Sequence, residues 1–246
     1  MSLFIAKQYY GQKIGDYTIR EYVGEGRYAM CFHAVSNSGN KVIIKKFRRG
    51  IFKMNSEKNV YESVILSILK DTRIPKLMGV INQKSFYGLV LEFMPGYTVK
   101  DLLFKYKHRF SDEEFYNIGI RLISIIKYLH KNGIVHRDIR ISNVLIDGEN
   151  VYLIDFGLAR FAQDIEYKYN LDYSYLGDFL LYLLYSSFPY NKKLKKIPWH
   201  KELQLTEKQK LFLKKLLGLE TAYENIKDIE IDFIDAFGFS ILLNDK

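Results

Sequence analysis

Short runs of β-branched and aromatic residues open the chain. "YTIREYV" (17–23), "FHAV" (32–35) and "KVIIKKF" (41–47) are separated by "GEG" and "SNSGN". Runs of this kind, punctuated by glycine and small polar residues, predict antiparallel strands joined in a meander. The period then changes. In "EKNVYESVILSILK", Val60, Val64 and Ile68 recur at a spacing of four with Ile65 and Leu69 beside them, which predicts a helix. "RIPKLMGVI" and "FYGLVLEFM" return to strand character, and beyond Pro95 and Gly96 the pattern is helical. Ser111 with Glu114 forms a capping box. The helix it opens carries Phe115, Ile118, Leu122, Ile126 and Leu129 on one face and stops at Gly133. Further helices are predicted through 176–186 and from Thr206, capped with Gln209, to Gly218. The expected architecture is α+β in a single domain. A β-rich lobe with one helix (about 1–94) leads through a hinge (about 92–96) into a reduced, mainly helical lobe (about 97–246).

Composition narrows this picture. With 246 residues and 48% hydrophobic content the chain can bury a substantial core. Its single cysteine excludes an intramolecular disulfide and suits a reducing cytoplasm. The opening "MSLFIAKQYY" is too short an apolar patch for a signal peptide. The longest apolar run, "FLLYLLYSSF" (179–188), is about half of what a bilayer needs and reads as a buried helix, so no membrane partner is expected. A formal charge of +9 suits anionic partners; nucleic acid has no support beyond that charge.

Candidate chemistry concentrates in "IVHRDIRISNVLI" (134–146) and "IDFG" (154–157). Phosphoryl transfer needs metal-held phosphates, an in-line hydroxyl and a group to orient it. Two carboxylates with separate duties meet those needs, and Mg²⁺ accepts an Asp, an Asn carbonyl, phosphate oxygens and water as ligands.

The order H-R-D-x-x-x-x-N followed by D-F-G resembles the catalytic and metal loops of the protein kinase superfamily, in a compact version of the eukaryotic-like Ser/Thr kinases of bacteria. The resemblance implies a bilobal protein-kinase-like fold, with ATP and Mg²⁺ as cofactors. It makes Asp138 the residue that orients the acceptor hydroxyl, and Asn143 and Asp155 the metal ligands. It places Arg140 where the family has a lysine near the γ-phosphate. Upstream, "VGEGRYAMC" stands where the family has its glycine-rich loop, so Val23, Gly24, Glu25, Gly26, Arg27, Tyr28, Ala29, Met30 and Cys31 are candidate nucleotide contacts. Lys45 would meet the α- and β-phosphates with Glu62, in preference to Glu57, as its partner. The adenine would lie against Val23, Cys31 and Leu145, with backbone bonds at Glu92 and Met94. His136 is expected to pack on Phe156 and take no part in chemistry. Ile43 fills a place that is small in the family.

Taken singly, these features have plainer explanations. Gly24 and Gly26 suit a hairpin, Asp155 to Gly157 suit a turn, and the runs "KKFRR" and "KKLKK" (192–196) suit solvated basic faces. Their joint order over residues 17–185 carries the resemblance. The departures follow Gly157. "LDYSYLG" resembles the start of the family's central helix, with Asp172 bonding the catalytic loop. The segment before it is short, lacks A-P-E and holds no Ser or Thr over 158–173. Arg137 is therefore expected to meet Asp164 or Glu166 in place of a phosphate. A protein acceptor is the leading expectation. A small-molecule or RNA-associated kinase activity, and a binding module without catalysis, are the alternatives.

Overall fold

The structure, a computed structural model, describes residues 8–26, 28–48, 56–83, 86–163, 168–188 and 197–238, with the backbone alone for 56–60. Arg27, Asp164, Glu166 and the run 192–196 lie outside the described residues. The chain divides into two compact units, Met1–Met94 and Pro95–Lys246.

The first unit is built on one antiparallel sheet. Its strands are β1 (Lys13–Ile14), β2 (Tyr17–Glu25), β3 (Ala29–Ser36), β4 (Lys41–Phe47), β5 (Leu77–Gln83) and β6 (Phe86–Glu92), in the order β1-β2-β3-β4-β6-β5. Helix α1 (Ser56–Ile68) interrupts the meander between β4 and β5. Side chains alternate across a strand, and β4 divides accordingly. Val42 and Ile44 enter a core with Ile19, Phe32, Ile81 and Val90. Ile43 and Lys45 take the opposite face.

The helix expected from "EKNVYESVILSILK" forms as α1; Ile65, Leu66 and Leu69 are buried with Glu62, while Val64 and Ile68 are exposed (41% and 47%). One expectation fails in this unit: the "KKFRR" run is not a solvated face over its first two residues. Lys45 and Lys46 are both buried, and Lys46 Nζ lies 5.4 Å from the ring centroids of Tyr9 and Phe86.

The second unit begins with β7 (Tyr97–Thr98) and α2 (Val99–Phe104), followed by the long helix α3 (Asp112–Lys131). The α3 capping box is formed as the sequence predicts. Ser111 Oγ accepts from Glu114 N at 3.2 Å, and Ser111 N donates to Glu114 Oε2 at 2.8 Å. Its predicted face is buried throughout. Short strands follow: β8 (Ile134–Val135), β9 (Val144–Asp147), β10 (Asn150–Leu153) and β11 (Arg160–Phe161). β10, β9 and β7 form one small sheet and β11 pairs with β8 in another.

Helix α4 spans Asn170–Ser187, starting six residues ahead of the predicted 176. Its first turn is polar in sequence because Asp172 serves the loop beneath it, so hydrophobic period alone could not find that turn. Phe179, Leu180 and Leu183 are buried in it, as the apolar run requires. Two further helices, α5 (Trp199–Glu202) and α6 (Glu207–Leu216, capped by Thr206 and Gln209), precede α7 (Ile226–Phe237). Phe233 of α7 is fully buried against Phe115, Tyr116, Phe212 and Phe237. Gly119 makes room for it, since a Cβ at Gly119 would collide with the Phe233 ring.

Candidate active site

In the first unit the sheet register fixes the upstream residues. Gly24 stands opposite Cys31 and Glu25 opposite Met30, and Cys31 stands opposite Lys45 on the next strand. Gly24, Cys31 and Lys45 therefore form one row across β2, β3 and β4. The β2–β3 hairpin closes with Gly26 N donating to Ala29 O at 2.9 Å. Neither Gly24 nor Gly26 has a positive φ, and a Cβ at either would meet no atom within 4 Å. The local fold does not require glycine at these positions; an incoming ligand close to the backbone would. Within the hairpin, Glu25 is ion-paired to Arg48, Tyr28 is half-buried, Ala29 and Met30 are buried, and Val23 is exposed.

Lys45 Nζ donates to both oxygens of Glu62, at 2.7 and 2.8 Å. Glu62 is only 1% exposed. Isolated buried charges are costly, and a bidentate pair is what makes them tolerable. Gly88 of β6 underlies this pair, because a Cβ there would sit 2.6 Å from the Lys45 carbonyl oxygen. Ile43, half-buried, pairs with His33 and Leu91, while Glu92 pairs with Val42. Glu92 N donates to Lys76 O at 2.9 Å, and Met94 is buried.

In the second unit the loop between β8 and β9 is held from beneath by Asp172. Asp172 Oδ2 accepts the backbone N–H of His136 at 2.9 Å, and Oδ1 accepts that of Arg137 at 2.7 Å. His130 Nε2 of α3 lies 2.9 Å from the same carboxylate. Two partners are backbone donors and the third, His130, donates in the tautomer that carries its proton on Nε2, so this fully buried acid is hydrogen-bonded on both oxygens. Arg137 has φ 66° and Asp155 φ 65°, a left-handed conformation that costs a non-glycine residue. Arg137 Nη1 also donates to Leu158 O at 3.4 Å. His136 packs edge-on against Phe156, with ring centroids 4.7 Å apart. Burial pushes the His136 imidazole below its ordinary value, although the carboxylates of Asp172, Asp138 and Asp155 pull the other way. Its Nδ1 accepts from Asp138 N at 3.3 Å, so the ring packs in the core and steadies the loop backbone.

Asp138 is the hub of the loop. Asn143 Nδ2 donates to Asp138 Oδ2 at 2.8 Å and to the Asp138 carbonyl at 2.9 Å. Both amide protons are thus turned toward Asp138, and the Asn143 carbonyl oxygen faces away from it. Arg140 Nη2 lies 3.2 Å from Asp138 Oδ2, with its side chain largely in water. Burial raises the Asp138 carboxyl above the usual range. Arg140 and the Asn143 bond pull it down, and the charge of Asp155 adds to the rise. Asp155 follows β10; its backbone neighbour Ile154 donates to Asn143 O at 2.9 Å, and its own Oδ1 accepts from Gly157 N at 3.3 Å. Leu145, on β9, is buried.

Hard-oxygen donors are the chemistry Mg²⁺ favours, and it keeps several waters and substrate oxygens. An Asp155 carboxylate fits that ion, as does the Asn143 carbonyl oxygen, which accepts from Ser142 Oγ at 3.3 Å and keeps a second lone pair. Among the described residues there is no group of three or more His, Cys, Asp or Glu side chains placed to hold a metal by protein ligands alone. No helix among them is long and apolar enough to cross a membrane.

The sequence missed two residues that build this arrangement. Gly88 carries no local signal, and His130 is one polar residue in an amphipathic helix whose partner is 42 positions away.

Comparison with known proteins agrees with this geometry. The family described as "Protein kinase domain" matches residues 17–178. The protein named probable serine/threonine-protein kinase YbdM, from Bacillus subtilis, is 33% identical over 226 residues, covering 88% of each chain. A probable serine/threonine-protein kinase KIN1 homolog of Enterocytozoon bieneusi is 31% identical over 61% of this chain and 26% of its own length. The human hormonally up-regulated neu tumor-associated kinase is 32% identical over 64% of this chain and 23% of its own.

Proposed function

The chain belongs to the protein kinase family, and on that footing we propose that it transfers the γ-phosphate of ATP to serine or threonine hydroxyls of a protein acceptor. The observation that carries the proposal is the interlocked loop, in which Asn143 and Arg140 converge on one carboxylate of Asp138. In this reading Asp138 accepts a hydrogen bond from the acceptor hydroxyl, aligns it, and takes its proton as the new P–O bond forms. Its raised carboxyl suits that duty, because a weaker acid is a better proton acceptor once ionised. Arg140, half in water, supplies positive charge beside the transferring group. Lys45, fixed by Glu62, holds the α- and β-phosphates. The open backbone at Gly24 and Gly26 admits phosphate oxygens to N–H groups along the hairpin, with Glu25, Tyr28, Ala29 and Cys31 beside them, whereas the Met30 side chain belongs to the sheet core on the opposite face and takes no part. Val23, Leu145 and the backbone of Glu92 and Met94 serve the base. Mg²⁺, when bound by Asn143 and Asp155, neutralises charge on the phosphates.

Incubation with ATP labelled at the γ-phosphate and a cell lysate tests the reading. Labelled protein bands that vanish with Asp138→Asn and with Asp155→Asn are the expected result. Label confined to small molecules or RNA would overturn the protein acceptor, and no label with no nucleotide-induced thermal shift would overturn the enzyme.

A further inference from the structure

From Tyr97 to Arg109 the second unit turns an aromatic and basic strip to water. Tyr97, Phe104 and Tyr106 are 54%, 56% and 46% exposed, and Lys100, Lys105, Lys107 and Arg109 are exposed between and beside them. Large apolar side chains left together in water mark a contact surface more often than chance. Here the rings are ordered. Tyr97 and Tyr106 meet edge-on at 4.8 Å, and Lys105 Nζ lies 5.1 Å from the Tyr106 centroid. Lys107 holds φ 56°, where glycine or asparagine would rest with less strain, yet a long cation stands there.

The strip is also one-sided in charge. Asp101 is its one acid, and that carboxylate accepts from Thr98 Oγ1 at 2.6 Å in the helix cap. Just beyond it, Glu114 is 2.9 Å from His108, and Glu149 pairs with Arg121. Asp112, Glu113 and Asp147 are the exposed acids flanking it. The strip is joined to the catalytic loop through its backbone. Lys100 N donates to Ile141 O at 2.8 Å, between Arg140 and Asn143. Residues 158–173 meanwhile hold no A-P-E, which leaves room for acceptor contacts on this strip.

We propose that the strip formed by Tyr97, Lys100, Phe104, Lys105, Tyr106 and Lys107 docks an acidic segment of the acceptor protein, carrying carboxylates for the lysines and apolar side chains for the rings. This rests on the protein-acceptor reading above and names the class of acceptor. Charge complementarity of this kind sets which partner is chosen and how fast it arrives.

Binding is measured without catalysis, so its outcome stands apart from the transfer reaction. Fluorescently labelled serine peptides flanked by Glu, by Lys or by Ser are titrated with the full-length protein and followed by anisotropy at low and high salt. The Glu-flanked peptide is expected to bind most tightly and to weaken with salt. Lys105→Glu combined with Lys107→Glu should weaken it by about tenfold, and Tyr106→Ser should weaken it at both salt concentrations. Equal binding of the three peptides, or an unchanged affinity in the double variant, overturns the proposal even if lysate proteins are labelled normally. Single-stranded RNA that binds more tightly than the acidic peptide and loses affinity in the same variants overturns it in favour of a nucleic-acid surface.

Discussion

Two of the three non-glycine residues with positive φ among the described residues, Arg137 and Asp155, flank the hydrogen-bonded Asp138 and Asn143. Backbone strain of this kind survives only where surrounding contacts over-determine it, and at Arg137 the contact is Asp172. Asp138 bears on both rate and stability. Asp138→Asn should reduce phosphoryl transfer by about 10²–10⁴-fold, the range for removing a positioned proton acceptor, measured with labelled ATP. Its carboxyl is raised by burial, so the folded chain favours the protonated form. That contribution to stability is fully present below the ordinary carboxylate value and is lost as pH rises from there through the raised one. The variant's Tm at neutral pH is therefore expected to equal or exceed that of the parent. For the same reason the acid side of the rate–pH profile should fall at a higher pH than an ordinary carboxylate would give. Glu62→Ala behaves in the opposite way. It leaves a buried Lys45 without that carboxylate, and a loss of about 3–5 kcal/mol is expected in urea denaturation.

At the scale of elements, α7 carries a heavy share of the second unit. Phe233→Ala removes a fully buried ring contacting four others and should cost about 3–5 kcal/mol, seen as a lower midpoint in thermal unfolding. Gly119→Leu should be destabilising as well, by overpacking against the same ring. Elements with strong local signals were legible in the sequence. The capped helices at Ser111 and Thr206 and the strands around "YTIREYV" and "KVIIKKF" form where local period and caps place them, because those signals act over a few residues. Supports whose reason is tertiary and that carry no motif were not legible: Gly88 matters only through its approach to the Lys45 carbonyl, and His130 only through its contact with Asp172. Asp172 beneath the loop and Glu62 beside Lys45 were legible through the resemblance and not through the apolar period, which does not mark a buried charge. The candidate site residues lie close together in sequence, while the groups that hold them do not.

For the molecule as a whole, family membership and the α+β architecture follow from order along the chain, which no single element carries. Regulation belongs to this scale. Residues 158–173 contain no Ser or Thr, so the transfer rate is expected not to depend on phosphorylation within that segment. Phosphatase treatment that switches the protein off, with the lost phosphate mapped to residues 158–173, would contradict it. The Asp172 carboxylate, which gathers donors from α3 and from two successive residues of the catalytic loop, has a thermal consequence. A loop anchored to the interior of its helices is expected to melt with them. On warming, the turnover rate should keep climbing until cooperative unfolding begins and then collapse along the same curve, with no earlier stage at which the protein is intact but idle.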